Sequence, residues 1–322
     1  MNKFVPENRD MFSDPVDIPI EKIHHPIALE KGISVYVKRD DLIHPEISGN
    51  KWRKLKYNLL KAQSLNKELI ITMGGAFSNH IAATAALGKA RGIRTKGIIR
   101  GEEKKELNQT LKRAQENGME LEFISRQLYD ERNEEWFKQE VLERHRKAYF
   151  IPEGGANFLG MQGCTEILHE VNIDYEFVCI CAGTGTTASG LAWSLPEGKK
   201  LLVFPALKGG DFLKDEMKEQ LYWALLDEDA VEHNMKKVSF HSDYHFGGYA
   251  KINQELINFM RDFHDITTIK LDPIYTAKMF FGIFDLIQNG HFKKGQNILL
   301  IHSGGLQGIS GIESKIGQKI YS

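Results

Sequence analysis

Short apolar runs alternate with helical patterns along this 322-residue chain, and that alternation constrains its fold more than any other feature. Residues 68–73 have the character of a buried strand and stop at Gly74-Gly75. Ser78-Asn79 then caps a helix carrying Ile81, Ala82, Ala85, Ala86 and Leu87. Further strands are predicted at 94–99, 121–124 and 148–151, with helices over 107–117 and 134–145 between them. The pattern resumes with strands at 177–181, 201–204 and 298–301 and a helix over 188–194. Strands alternating with helices imply an α/β fold with mostly parallel sheets covered on both faces. The length suits about two domains.

Charge excludes one class of partner. Lys and Arg number 42 against 43 Asp and Glu, so the chain lacks the basic excess of a nucleic-acid binder. No apolar run reaches the roughly 18 residues a membrane helix needs. The first ten residues lack the apolar centre of a signal peptide. Cys164, Cys179 and Cys181 cannot all pair with one another, and the last two share one face of a strand where strain opposes a bond. A reduced, cytoplasmic setting follows as the expectation.

In open α/β sheets, ligands bind outside the carboxyl ends of the strands. Five glycine- or hydroxyl-bearing loops fall at such ends, over 74–80, 153–157, 182–187, 206–210 and 302–305, and are expected to line one pocket. The sharpest is Gly183-Thr184-Gly185-Thr186-Thr187, between a strand and a helix, where backbone N–H groups and threonine hydroxyls suit a phosphate. It fits the dinucleotide fingerprint formally, but the acidic residue expected about 20 positions on is missing, which favours a small phosphate-bearing cofactor over NAD. No P-loop and no Gly-x-Ser-x-Gly elbow occurs. His241 and His245 lack the glutamate of the zinc-protease motif, so no metal site is expected.

A lysine completes the constellation. Lys51 follows Ser48-Gly49-Asn50 near a helix start, and Arg53 and Lys54 beside it are expected to lower its pKa. A neutral amine is what Schiff-base chemistry requires. A phosphate cradle together with such a lysine is what pyridoxal phosphate needs.

From about residue 15 to 312, the chain resembles the fold type II pyridoxal-phosphate enzymes, the tryptophan synthase β-like group. Within that group it is similar to the branch holding D-cysteine desulfhydrase and 1-aminocyclopropane-1-carboxylate deaminase. Carrying the likeness are Lys38-Arg39-Asp40-Asp41, Gly49-Asn50-Lys51-x-Arg53-Lys54-Leu55, the run 74–80, the run 151–157, the threonine loop, Asp272-Pro273-Ile274-Tyr275 and Ser303-Gly304-Gly305. The resemblance implies two three-layer α/β domains: a large one from 1–50 and 160–322, and a small one, 51–159, inserted into it. It also implies a homodimer acting on a small amino acid. Lys51 would carry the cofactor and move protons. Asn79 would bond the ring hydroxyl, and Gly183, Thr184, Gly185, Thr186 and Thr187 the phosphate. Ser303 would face the pyridine nitrogen. Ser78, Asn79, His80, Tyr249, Tyr275 and Thr276 would meet substrate, with Ser78 and the two tyrosines also catalytic.

Thr276 and Ser303 stand where the deaminase pattern has Glu and Leu. Phe77 replaces the usual Gln, and Ala250-Lys251 follows Tyr249 where a Gly-x run is common. A neutral hydroxyl near the pyridine nitrogen makes a weaker electron sink than a carboxylate, which suits β-elimination better than cyclopropane opening. The expected activity is conversion of D-cysteine to pyruvate, sulfide and ammonia. A cyclopropane deaminase, an amino-acid racemase and a non-catalytic phosphate-binding module remain the alternatives.

Overall fold

A computed structural model describes residues 17–103 and 105–321, and the N-terminal decapeptide considered above lies outside them. Among the described residues, ten strands form two sheets. β1 (Ile20–Ile23), β2 (Ser34–Lys38), β7 (Phe177–Ala182), β8 (Lys200–Pro205), β9 (Val238–Phe240) and β10 (Asn297–Ile301) make a six-stranded sheet in the order β1-β2-β10-β7-β8-β9. β3 (Leu69–Gly74), β4 (Arg94–Arg100), β5 (Met119–Ile124) and β6 (Ala148–Ile151) make a second sheet in the order β5-β4-β3-β6. Every pairing is parallel except β1 with β2, where Ile20 faces Lys38.

Strand periodicity explains the layers. Along β7, Cys179 and Cys181 point to one side and Val178, Ile180 and Ala182 to the other. β8 and β10 divide in the same way, with Leu202, Phe204, Ile298 and Leu300 on the cysteine side. That side packs on helices Gln254–Thr267 and Thr276–Gln288. The other side packs on helices Phe158–His169, Thr186–Ser194 and Leu213–Leu225. The small sheet is covered on both faces too: Ile70 and Ile151 meet Leu55 and Leu59, whereas Ile71 and Met73 meet Tyr129 and Phe137. Two three-layer α/β domains result. All three cysteines are buried and free.

Helix Asn50–Ser64 lies between the two units. Leu55 and Leu59 belong to the small sheet's core, while its opposite side is pressed against helix Phe158–His169. The approach is so close that a Cβ on Gly163 would stand 1.9 Å from the Arg53 carbonyl oxygen. A salt-linked network locks the same helix to the large sheet. Arg53 Nη2 donates to Glu170 Oε2 at 2.6 Å and to Asp40 Oδ1 at 3.2 Å, and Lys38 Nζ lies 3.0 Å from Asp40 Oδ1 and 2.7 Å from Glu170 Oε2. Arg39 is spent on both oxygens of Asp41 and on Glu21. The Lys-Arg-Asp-Asp run is thus a clamp between β2 and the lysine-bearing helix.

Replacing Asp40 by Ala leaves buried Lys38 and Arg53 sharing the partly exposed Glu170, with Glu166 a further 3.8 Å contact of Arg53. The expected loss is roughly 3–5 kcal/mol of stability, read by denaturant unfolding of the cofactor-free protein. A second substitution, Gly163→Ala, is expected to lower the melting temperature by several degrees by forcing the two helices apart, because the obstructing atom is backbone and cannot swing away.

Candidate active site

The parallel register aligns the strand ends that carry the loops. Ile301 pairs with Lys38, Ala182 with Pro205, and in the small sheet Thr72 with Ile151. Each sheet reverses its strand order once, between β7 and β10 in one and between β3 and β6 in the other. Such reversals open a crevice at the carboxyl edge. The loops flanking both reversals meet. Gly154 stands against Thr184, Gly155 against Lys54 and His80, Gly183 against Tyr275, and Gly305 against Asn79 and Asp272. The loop over 206–210 differs from the other four: Lys208 lies beside Gly248, next to Tyr249.

Lys51 is the second residue of its helix, and two hydrogen bonds tie it to the threonine turn. Its Nζ donates to Asn50 Oδ1 at 2.8 Å, and Asn50 Nδ2 donates to Thr187 Oγ1 at 2.9 Å. Gly49 makes this start possible. It adopts φ 63°, and a Cβ there would fall 1.9 Å from the Ser303 carbonyl oxygen, which accepts from Asn50 N at 3.2 Å. Burial, and after it the charge of Lys54, pushes the Lys51 amine down to about 7. Arg53 does not share in this, contrary to expectation, because Asp40 and Glu170 neutralise it. Lys54 is itself pushed down to about 8 by burial, and its Nζ donates to Gly154 O at 3.0 Å.

Ser78 caps helix Asn79–Arg91, its Oγ accepting from Ile81 N at 3.3 Å. The cap places Asn79 and His80 on the first turn. Asn79 Oδ1 and both ring nitrogens of His80 are buried without a hydrogen-bond partner. Burial, then the charges of Lys51 and Lys54, holds His80 well below the usual imidazole range, so the ring is neutral. Helix Thr186–Ser194 begins at Gly185 (φ 73°) with no side-chain cap, and Thr184 and Thr186 hydroxyls stand 3.1 Å apart beside it. Cys164, whose thiol is pushed up by burial, adjoins Thr187 and the two lysines.

Tyr249 and Tyr275 meet edge to face with ring centres 6.0 Å apart, Tyr249 being 44% exposed. Burial raises both phenols, Tyr275 well above its ordinary value, so both keep their protons at neutral pH. Thr276 is fully buried, and its hydroxyl is committed: Oγ1 donates to Asp272 Oδ2 at 2.7 Å and accepts from Asp272 N at 2.9 Å. Asp272 also accepts from the backbone N–H of Ile274, Tyr275 and Thr276. Ser303 is buried on the loop after β10, between Gly49 and Gly304.

Sequence reasoning missed the bridging role of Asn50, the carbonyl acceptor of Lys54 and the turn built on Asp272. The Asp-Pro-x-x-Thr order, typical of a side chain that closes a turn on its own backbone, was a readable signal for the last.

A buried, half-neutral amine, an uncapped helix start lined by hydroxyls, and orphaned amide and imidazole atoms together fit a cofactor with an aldehyde, a phosphate and a ring hydroxyl. These features define a two-domain α/β enzyme of Schiff-base type. The chain belongs to the pyridoxal-phosphate dependent enzyme family, whose profile matches residues 19–304. A Pyrococcus horikoshii protein with the provisional name 1-aminocyclopropane-1-carboxylate deaminase is 31% identical over 91% of each chain. The bifunctional mitochondrial D-cysteine desulfhydrase/1-aminocyclopropane-1-carboxylate deaminase of Arabidopsis thaliana is 27% identical over 90% of this chain and 77% of its own. The crystal structure of a deaminase homologue superposes with a TM-score of 0.77 at 29% identity, covering 93% of this chain and 94% of that one. Among the described residues no helix is long and apolar enough to cross a membrane.

If Lys51 captures the cofactor as the free amine, the reconstitution rate of cofactor-free protein rises about tenfold per pH unit below 7 and flattens above it. Lys54→Ala is expected to move that inflection to higher pH, since it removes a neighbouring positive charge. The growth of the bound-cofactor absorbance measures both.

Proposed function

We propose that this enzyme catalyses α,β-elimination with deamination of a small amino acid, D-cysteine being the best candidate, to give pyruvate, sulfide and ammonia. The observation that carries the choice lies beside Ser303, the residue expected to face the ring nitrogen. There Ser303 offers a hydroxyl, and the nearby Asp272 carboxylate is already saturated by Ile274, Tyr275 and Thr276. With that carboxylate engaged, a hydroxyl is the group expected at the ring nitrogen, and it does not enforce the strong electron withdrawal that opening a cyclopropane demands.

When bound, pyridoxal phosphate supplies an aldehyde for a lysine amine and a ring that takes up the electron pair released at the substrate α-carbon. The chain's own groups then divide the work. Gly183, Thr184, Gly185, Thr186 and Thr187 hold the phosphate, with Lys54 charge beside them. Asn79 bonds the ring hydroxyl. Ser78, whose oxygen is occupied as a cap acceptor but whose proton is free, orients the substrate carboxylate together with Asn79 and the neutral His80. Lys51 Nζ, close to neutral at pH 7, takes the α-proton. Tyr249 and Tyr275, which keep their protons, act as donors to the departing sulfur. Thr276 supports Asp272 and leaves substrate contact to its neighbours.

Residues 51–159 would form the smaller domain, inserted into a larger one of 1–50 and 160–322. The expected assembly is a cytoplasmic homodimer.

A second activity has specific support, since the Arabidopsis relative's name joins desulfhydrase and cyclopropane deaminase. The decisive experiment supplies the loaded enzyme with D- and L-cysteine, D- and L-serine, their chlorinated analogues and 1-aminocyclopropane-1-carboxylate. Ammonia, sulfide and 2-oxo acid are then measured. Equal amounts of pyruvate, sulfide and ammonia from D-cysteine are expected. Faster release of 2-oxobutanoate from the cyclopropane substrate would transfer the assignment to the deaminase, and enantiomer interconversion without ammonia would make it a racemase. Lys51→Ala should abolish the cofactor absorbance and reduce turnover by at least about 10²-fold.

A further inference from the structure

The segment carrying Tyr249 has little of its own to hold it. It follows a short 3-10 turn, Ser242–His245, and pairs with no strand. Phe246, Gly247, Gly248 and Ala250 all have left-handed backbone, with φ of 53°, 92°, 117° and 53°. Two of these four bear a side chain that opposes the conformation. Local support amounts to a few short-range bonds, among them Gly248 N to His245 O and Lys251 N to Gly248 O. Lys315 adds an exposed contact to Ala250 O.

Phe246 adds an edge-to-face contact with Phe281, ring centres 5.0 Å apart, and Ala250 rests on the same core. The polar support comes from one buried cation. Lys278 is 1% exposed, and its Nζ donates to Gly248 O at 2.8 Å, to His245 O at 2.9 Å and to Ala206 O at 3.3 Å. An ammonium has three protons to donate, and here three carbonyls receive them. One acceptor, His245, precedes the left-handed segment, a second, Gly248, lies within it, and the third, Ala206, is the first residue after β8. Lys278 stands three residues beyond Tyr275, in the first turn of the helix Thr276–Gln288 that Tyr275 precedes. This side chain, with the Phe246–Phe281 contact beside it, therefore ties the Tyr249 loop to the helix that begins after Tyr275.

We propose that Lys278 is a positioning residue for the reaction, holding Tyr249 against Tyr275 by clasping the loop over 246–250. The inference rests on Tyr249 acting at the substrate.

The test uses cofactor-loaded Lys278→Met, Tyr249→Phe and the double variant, with the amino acid turned over fastest in the screen. Lys278→Met is expected to retain the cofactor absorbance and to lose kcat to a similar extent as Tyr249→Phe. It should add less than about a twofold further loss in the Tyr249→Phe background, the non-additivity of two residues acting as one. Chymotrypsin should cut after Phe246 or Tyr249 about tenfold faster in Lys278→Met than in the parent, because opening of the loop limits cleavage. Losses that multiply, or a cutting rate equal to the parent's, would overturn the proposal. Full kcat in Tyr249→Phe would instead sink the reading of Tyr249 as a proton donor, and the protease rate alone would then decide whether Lys278 holds the loop. Should Lys278→Met fail to fold, Lys278→Gln, which keeps an amide donor, is judged by the same criteria.

Discussion

One helix carries four cations near its start, and their unequal neutralisation is the constraint on which the site depends. Arg53 and Lys56 face Glu170 and Glu166 at ion-pair distance. Lys51 and Lys54 receive only an amide oxygen and a peptide carbonyl. Burying an amine without a carboxylate is costly, and the cost falls as a lowered proton affinity, which Schiff-base chemistry exploits. The neighbouring clamp of Lys38, Asp40, Arg53 and Glu170 makes this tolerable by anchoring the helix independently of the two unpaired lysines.

The second organising element is topological. Both sheets change direction once, and the loops at the two reversals converge on one another. The large sheet contributes the threonine turn and the Ser303 loop, and the small sheet contributes the Ser78 loop and the paired glycines after β6. A ligand held there touches both units. Neutral His80 and the orphaned Asn79 oxygen come from one side, and the uncapped helix start comes from the other. Tyr249 and Tyr275 close a third side from the long connection between β8 and β10.

Much of this was legible in the sequence wherever a strand was buried on both faces. Leu69 to Met73, Val178 to Ala182 and Ile298 to Ile301 are continuous apolar runs ending in glycine or hydroxyl loops, so strand and loop were both readable. β1 and β2 were not read as strands, since Ile-Glu-Lys-Ile and Ser-Val-Tyr-Val-Lys are short and mixed. The stretch between β8 and β10 was also left largely unread, although Leu256, Ile257, Met260 and Phe263 repeat at helical spacing. Lys51 and the threonine turn were found because their chemistry is local. The roles of Arg53, Thr276 and Lys278 were not, because each depends on a partner fixed only by the tertiary fold: Glu170, the Asp272 turn and the Tyr249 loop. In isolation Arg53 looked like a perturbing charge, but in the fold it is paired with Asp40 and Glu170.

The weld between Gly49 and Ser303 has a consequence for how the molecule comes into being. The start of the lysine helix is built on a carbonyl from the final strand's loop, with no room for even a methyl group between them. These partners lie far apart along the polypeptide, so the pairing closes a very long loop and cannot be reached by local collapse. During synthesis the small sheet's strands emerge early and can associate, but the reactive amine stays unplaced until β10 has left the ribosome. Competence to bind the cofactor therefore waits on the loop after β10, however early the lysine itself is made.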